Sequence, residues 1–206
     1  MELKQKIIHE SLKLFSLKGF LSTSLHDILK ASKTSKGGFY NHFQSKEDLF
    51  FAVLRRAQMI WRMKCLKGLD QVDGPVAKVH TILRNYKDRY LKDTRDFPGG
   101  CVFVTLSVEL DDQRPHLARE LNSGFEGFKN MLKRLLDQGK AASELGKDVD
   151  TEALTEMIFA GMLGASVIYG TEKSGERLDQ SIEALMHHLE ILAPRDTPHG
   201  PGGSGT

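Results

Sequence analysis

The amino-acid sequence predicts an all-α chain, and three observations carry that prediction. Apolar residues recur at three- and four-residue intervals through most of the 206 residues, the period of a helix that buries one face. Glycine and proline gather at a few points (Gly19, "DGP" at 73–75, "DFPGG" at 96–100, Pro194) and cut the chain into helix-length pieces. One segment alone alternates like a strand, and a strand without a partner is not a stable element. With 40% apolar and 27% charged residues, the chain can build a real core.

The elements follow in order. From about Glu2 to Lys18, the residues Ile7, Ile8, Ser11, Leu12 and Phe15 share one face; Lys18 and Gly19 then supply a basic last turn and a left-handed cap. Ser22, Thr23 and Ser24 offer N-caps for a short second helix with Leu25, Ile28 and Leu29, and Asp27 lies in its first turn. After about three residues of turn, Ser35 starts a third short helix. Ser45 caps a fourth, with Asp48 three residues later, and this helix is expected to run to about Leu69. Pro75 opens the next, carrying Val76, Val79, Leu83, Tyr86 and Tyr90. "CVFVTLSVEL", 101–110, alternates with period two and reads as a strand by local signal. Leu117, Leu121, Phe125, Phe128, Leu132 and Leu135 mark a long helix. A stripe of small residues, Ala153, Ala160, Gly161, Gly164 and Ala165, lies within another over about 150–169. Leu178, Ile182, Leu185, Leu189 and Leu192 mark the last, and the tail 195–206 has too little apolar surface to fold.

One long helix followed by two short ones joined by a tight turn is a helix-turn-helix arrangement. Its second short helix lies in "SKGGFYNHFQSKEDLF", 35–50. Adjacent glycines weaken a helix but allow its backbone to approach phosphates and base edges closely. Lys36, Tyr40 and His42 can point outward as donors, while Phe39 and Phe43 pin the helix from inside. The free N–H groups of the helix after Ser45, with Lys46, offer a phosphate clamp. Charge agrees: residues 1–64 hold 12 Lys or Arg against 5 Asp or Glu, a balance of +7, while the whole chain carries only +2. Such a basic segment meets a polyanion or is a solvated lysine-rich face.

These residues resemble the TetR/AcrR type of bacterial transcriptional regulators. The likeness rests on Gly19-Phe20, Thr23-Ser24, Asp27-Ile28, Ser35-Lys36-Gly37, Phe39-Tyr40, His42-Phe43 and Ser45-Lys46-Glu47-Asp48-Leu49, and it covers roughly the first quarter of the chain. The family's usual small residue and glycine in the turn are Ser32 and Lys33 here. Lys33 therefore takes a conformation unfavourable for a side chain, or the turn is built differently.

The resemblance implies a helix-turn-helix DNA-binding domain over 1–48 and a larger helical effector-binding and dimerisation domain over 49–194. It implies a buried helix over 101–110, against the local signal, and a cytoplasmic homodimer, usually a repressor, released from a near-palindromic operator by a small molecule. Expected DNA contacts are Thr23, Ser24, Ser35, Lys36, Gly37, Gly38, Tyr40, Asn41, His42 and Lys46. Pocket candidates are Trp61, Tyr86, Tyr90, Cys101, Thr105 and Phe125; dimer-face candidates are Gly161, Gly164, Ala165, Leu185 and Leu189. Cys101, directly after Pro98-Gly99-Gly100, opens its helix, where the positive dipole end favours a reactive thiolate; the alternative is a buried, inert thiol.

Other classes find little support in the sequence. A helical-bundle enzyme with a di-metal centre needs Glu-x-x-His pairs, and no Glu here has His three residues later. Phosphate-binding and nucleophile-elbow motifs are missing, so no enzyme, metal or cofactor is expected. Two cysteines make no disulfide framework, and no uninterrupted apolar run approaches the roughly 20 residues of a membrane span. A helical interaction module without DNA is the remaining alternative, and the basic N-terminal third argues against it.

Overall fold

The computed structural model describes residues 2–110 and 112–194, and every regular element among them is helical. The tail expected to be disordered, 195–206, lies outside the described residues. Helices α1 (Leu3–Lys18), α2 (Leu25–Ser32) and α3 (Lys36–Tyr40) form a small bundle, closed by the first turns of α4 (Lys46–Cys65). Helix α5 (Pro75–Asn85) runs on into a π-helical turn, Tyr86–Leu91. It is followed by α6 (Val102–Leu110), α7 (Pro115–Ala141), α8 (Thr151–Glu172) and α9 (Gly175–Ile191), which pack with α4 as the larger bundle.

Serine starts three of the first four helices, as its capping chemistry requires. Ser24 accepts from the Asp27 amide while Asp27 accepts from the Ser24 amide, a complete capping box. The Lys18 ammonium, 2.7 Å away, and the Ser24 hydrogen bonds hold the Asp27 carboxyl well below the usual carboxylate range. Ser35 accepts from Gly38 N at 3.1 Å and Ser45 from Asp48 N at 3.0 Å. Between α2 and α3, Lys33 takes the left-handed conformation, φ 52° and ψ 48°, at a cost of ~1–2 kcal/mol for a residue with a side chain. The turn therefore keeps a glycine-like shape without the glycine. Two backbone bonds, Lys33 N to Lys30 O and Thr34 N to Leu29 O, hold it there.

One boundary and one local signal differ from the sequence reading. α4 stops at Cys65 rather than near Leu69, because Gly68 turns left-handed and starts a 3-10 turn, Leu69–Gln71. The segment over 101–110 is a helix, as the family resemblance implied. As a helix it buries Val102, Leu106 and Leu110 at four-residue steps. The alternation is then partly wasted: Val108 is left 79% exposed.

α8 has no uninterrupted apolar run of membrane-span length, although by overall length and composition it is apolar enough to cross one. Its inner face (Leu154, Ile158, Met162, Ala165) packs on α7 and α9. Met157, Val167 and Ile168 face outward.

Candidate nucleic-acid interface and cavity

The surface of α3 separates the expected contacts into two groups. Ser24, Ser35, Lys36, Gly37, Tyr40 and Asn41 are exposed; Gly38 and His42 are partly covered. Phe39 and Phe43 are buried beneath them and hold the five-residue helix in place. The two glycines do different work. A Cβ on Gly38 would strike the Thr34 hydroxyl, so a side chain there requires Thr34 to turn away. A Cβ on Gly37 would meet nothing closer than Ser35 Oγ at 3.8 Å, so the fold does not need that glycine. Helix propensity argues against it. Gly37 leaves its backbone open to close approach from outside.

Two expected contacts face inward. Thr23 is buried, and its hydroxyl donates to Gly19 O at 2.6 Å. Lys46 turns its ammonium back to donate to Phe20 O and Thr23 O, both at 2.9 Å, over the Phe20 ring. Burial pushes the Lys46 pKa down, and the Glu109 carboxylate nearby opposes that. Both residues thus fix the α1–α2 loop and, through it, the placement of α2 and α3.

What holds that loop from the other side has no local signature. Glu109, on α6, accepts from the backbone amides of Phe20 (2.6 Å), Leu21 (2.8 Å) and Ser22 (3.4 Å). Gly99 N donates to Ser16 Oγ at 2.9 Å, in contact so close that a Cβ on Gly99 would overlap the Ser16 carbonyl oxygen. A lone glutamate in an apolar run carries no sequence signature for such a clamp. The two contacts tie α6 and the loop before it directly to the small bundle.

Between α4, α7 and α8, with the start of α6 at its wall, lies a cavity of about 530 Å³. Four of the six expected residues line it: Trp61, Tyr86, Cys101 and Phe125. Tyr90 lies behind the wall, stacked on Tyr86 at 5.5 Å with its hydroxyl 3.4 Å from Cys101 Sγ. Thr105 is spent on Cys101 O at 3.3 Å and does not line the space. Phe103, Phe128 and Phe159 complete the aromatic walls, with Gln58, Arg62, Glu120 and Arg134 as polar lining. One signal for the space was present in the sequence: Gly124 and Gly127, in the middle of a long helix, line it and keep it open.

Cys101 is 6% exposed, and burial pushes its thiol up; the hydrogen bond with Tyr90 pulls part of the way back. Position at a helix start, the sequence argument for a thiolate, is outweighed here by desolvation. Cys65 is fully buried, and its thiol is pushed up for the same reason.

The expected dimer-face residues also divide. Ala165 and Leu189 are buried within the chain, and Gly161 lets Leu185 approach, since a Cβ there would lie 2.8 Å from Leu185 Cδ2. Gly164 faces open space, with nothing within 4 Å of a Cβ.

This architecture matches known proteins along nearly its whole length. Residues 7–53 match the family described as bacterial regulatory proteins, tetR family, and residues 75–185 match the tetracyclin repressor-like C-terminal domain. The chain belongs to the TetR family. It is 26% identical over 194 residues to the HTH-type transcriptional repressor DhaR of Mycobacterium sp., covering 92% of this chain and 96% of that one. It is likewise 26% identical to the HTH-type transcriptional repressor NemR of Escherichia coli, over 85% of this chain and 86% of the relative. Among solved structures, a TetR transcriptional regulator from Chloroflexus aurantiacus superposes with a TM-score of 0.84 at 25% identity, covering 91% of this chain and 93% of that one. As a TetR-family member the chain is a helix-turn-helix transcriptional regulator.

Proposed function

We propose that the protein is a cytoplasmic homodimeric repressor that two-fold symmetry matches to a near-palindromic operator, and that a small molecule in the cavity releases it. The observation that carries this reading is the reach of α6. At its start, Cys101 and Phe103 form part of the cavity wall. Six residues on from Phe103, about 9 Å along the axis, Glu109 holds three amides of the α1–α2 loop. A ligand that displaces the start of α6 pulls on the loop that places α2 and α3. In a dimer that changes the spacing of the two reading heads, and a ligand favouring the wrong spacing lowers operator affinity by population shift. The names of DhaR and NemR, both repressors, support the sign of regulation.

The outward face of α8 supports the dimer. Met157 (39%), Val167 (48%) and Ile168 (42%) are exposed beside the open surface at Gly164, with Ile191 of α9 (54%) as a further exposed apolar residue. A second copy laid on this face forms a four-helix interface with a close crossing at Gly164.

Gly164→Leu tests the dimer and its operator binding together. Within one chain a Cβ at 164 meets nothing within 4 Å, so helical content should stay at the wild-type level. Across the dimer the leucine overpacks the crossing. Wild type should sediment as a dimer and protect two half-sites about 10 bp apart, or a multiple of that, on fragments captured from its own genome. The variant should sediment as a monomer and lose the footprint. A Gly164→Leu protein that remains a DNA-bound dimer places the interface elsewhere.

A further inference from the structure

The cavity walls carry information about the ligand, and the inference drawn from them rests on the effector-binding reading above. The middle of the cavity is aromatic: Trp61 meets Phe128 at 4.8 Å, and Phe159 lies 5.3 Å from Phe125 and 6.0 Å from Phe128. Its deep polar groups are already engaged. Tyr86 donates to Met162 O at 3.2 Å, and the Cys101 thiol is paired with the Tyr90 hydroxyl. A ligand body in this part gains by burying apolar surface and finds little to hydrogen-bond.

The two ends differ in charge. A Cβ on Gly124 would lie 3.0 Å from Gln58 Nε2, and Trp61 meets Phe128, so α4 and α7 run in the same direction along the cavity. Arg62 and Arg134 both lie beyond that level, about 6 Å and about 15 Å further along their helix axes. Glu120 lies on the other side, about 6 Å before Gly124. Both arginines line the cavity and are exposed at its rim. Among the described residues the arginines in ion pairs are Arg95, Arg114 and Arg177; Arg62 and Arg134 are in none. Both arginines thus lie on the same side of the Gln58–Gly124 level, Arg62 beside the aromatic middle and Arg134 about 9 Å further on, and neither is ion-paired among the described residues.

We infer that the cavity takes an amphipathic organic anion, with its carboxylate or similar head on Arg62 and Arg134 and an apolar, ring-bearing body between Trp61, Phe125 and Phe128. Guanidinium suits this task because its planar fork pairs two donors with one carboxylate. Glu120 at the opposite end disfavours the reversed pose, in which the head would meet a like charge. A cation with the same body is disfavoured at the arginine end by the same argument.

A matched pair of dyes tests the head-group assignment apart from the cavity itself. 1-Anilinonaphthalene-8-sulfonate and N-phenyl-1-naphthylamine share one aromatic body and differ by the anionic group. Trp61 is the chain's single tryptophan and lines the cavity, so energy transfer from it reports dye bound there. A Trp61→Phe control removes that signal. Both dyes should quench Trp61 in the full-length protein. In Arg62→Gln/Arg134→Gln the sulfonate dye should bind about tenfold more weakly or worse, a loss of about 1.4 kcal/mol, with the neutral dye within about twofold of wild type. Equal weakening of both dyes, or no weakening of either, overturns the anion assignment and leaves the effector reading standing. If neither dye quenches Trp61 in wild type, the cavity is no binding site, and the effector reading falls with the inference.

Discussion

In the small bundle, Phe15, Phe20 and Phe50 meet edge to face at 5.4 and 5.1 Å, all buried, with Phe39 fully covered beneath α3. In the larger bundle, Trp61, Phe125, Phe128 and Phe159 are only half-buried and stand around about 530 Å³ of space. The same residue type closes one region and holds the other open. A filled aromatic core has few alternative packings, which keeps α3 in one orientation. An aromatic-lined space forgoes contact energy on its inner side and recovers it only when something enters. The reading half is therefore the stiff one and the cavity half the responsive one, joined by α6 and the loop before it. Each prediction below attacks that division, beginning at the joint.

Gly99→Val should have the largest effect. The new side chain starts where the Ser16 backbone carbonyl already lies, and backbone gives way less readily than a side-chain tip. Separation of the α6 loop from α1 should cost about 3 kcal/mol, a fall in Tm of roughly 6–12 °C for a chain of this size. Thermal melting followed by circular dichroism measures it. A variant with wild-type Tm would show that the two halves are not joined at Gly99.

Glu109→Ala comes next. It leaves the amides of Phe20, Leu21 and Ser22 without their acceptor, at a cost of about 2 kcal/mol. Hydrogen exchange at those three amides should quicken while the amides of α7 and α8 keep their protection. Glu109→Gln, which retains an acceptor oxygen, should restore part of the protection. Uniform loss of protection along the chain would mean that Glu109 supports the fold generally and is not a joint.

How far these two regions were legible in the sequence follows from the same contrast. The small bundle was legible almost residue by residue, because its chemistry is local: a serine caps the amide three residues on, and Gly19 or Lys33 ends a helix by its own backbone conformation. The helix at 101–110 was not legible locally. Its β-branched alternation is overridden by burial of Val102, Leu106 and Leu110, a tertiary effect. Glu109 and Gly99 act on residues more than eighty positions away, so no spacing could reveal them. The cavity was half legible. Of the residues that the family resemblance implied, Trp61, Tyr86, Cys101 and Phe125 line it, but Thr105 and Tyr90 lie on the wrong side of their turns and are engaged elsewhere.

The smallest expected effect concerns the two thiols, which sit on opposite sides of this contrast. Cys65 is fully buried in packed core, whereas Cys101, 6% exposed, borders the cavity. N-ethylmaleimide should therefore modify Cys101 slowly through the cavity and leave Cys65 untouched until the protein unfolds. Mass spectrometry of the labelled protein, with Cys101→Ser as control, distinguishes the two sites. Only the thiolate reacts. Because burial pushes the Cys101 thiol up, its labelling rate should keep rising past pH 9 without a plateau. N-phenyl-1-naphthylamine in the cavity should slow it further. A plateau near neutral pH would mean that the start of α6 stabilises the thiolate after all, and that Cys101 is the reactive group which its place in the sequence suggested. Labelling of Cys65 at the same rate would instead dissolve the contrast between filled and open halves, since it requires the packed side of α4 to open as readily as the cavity side.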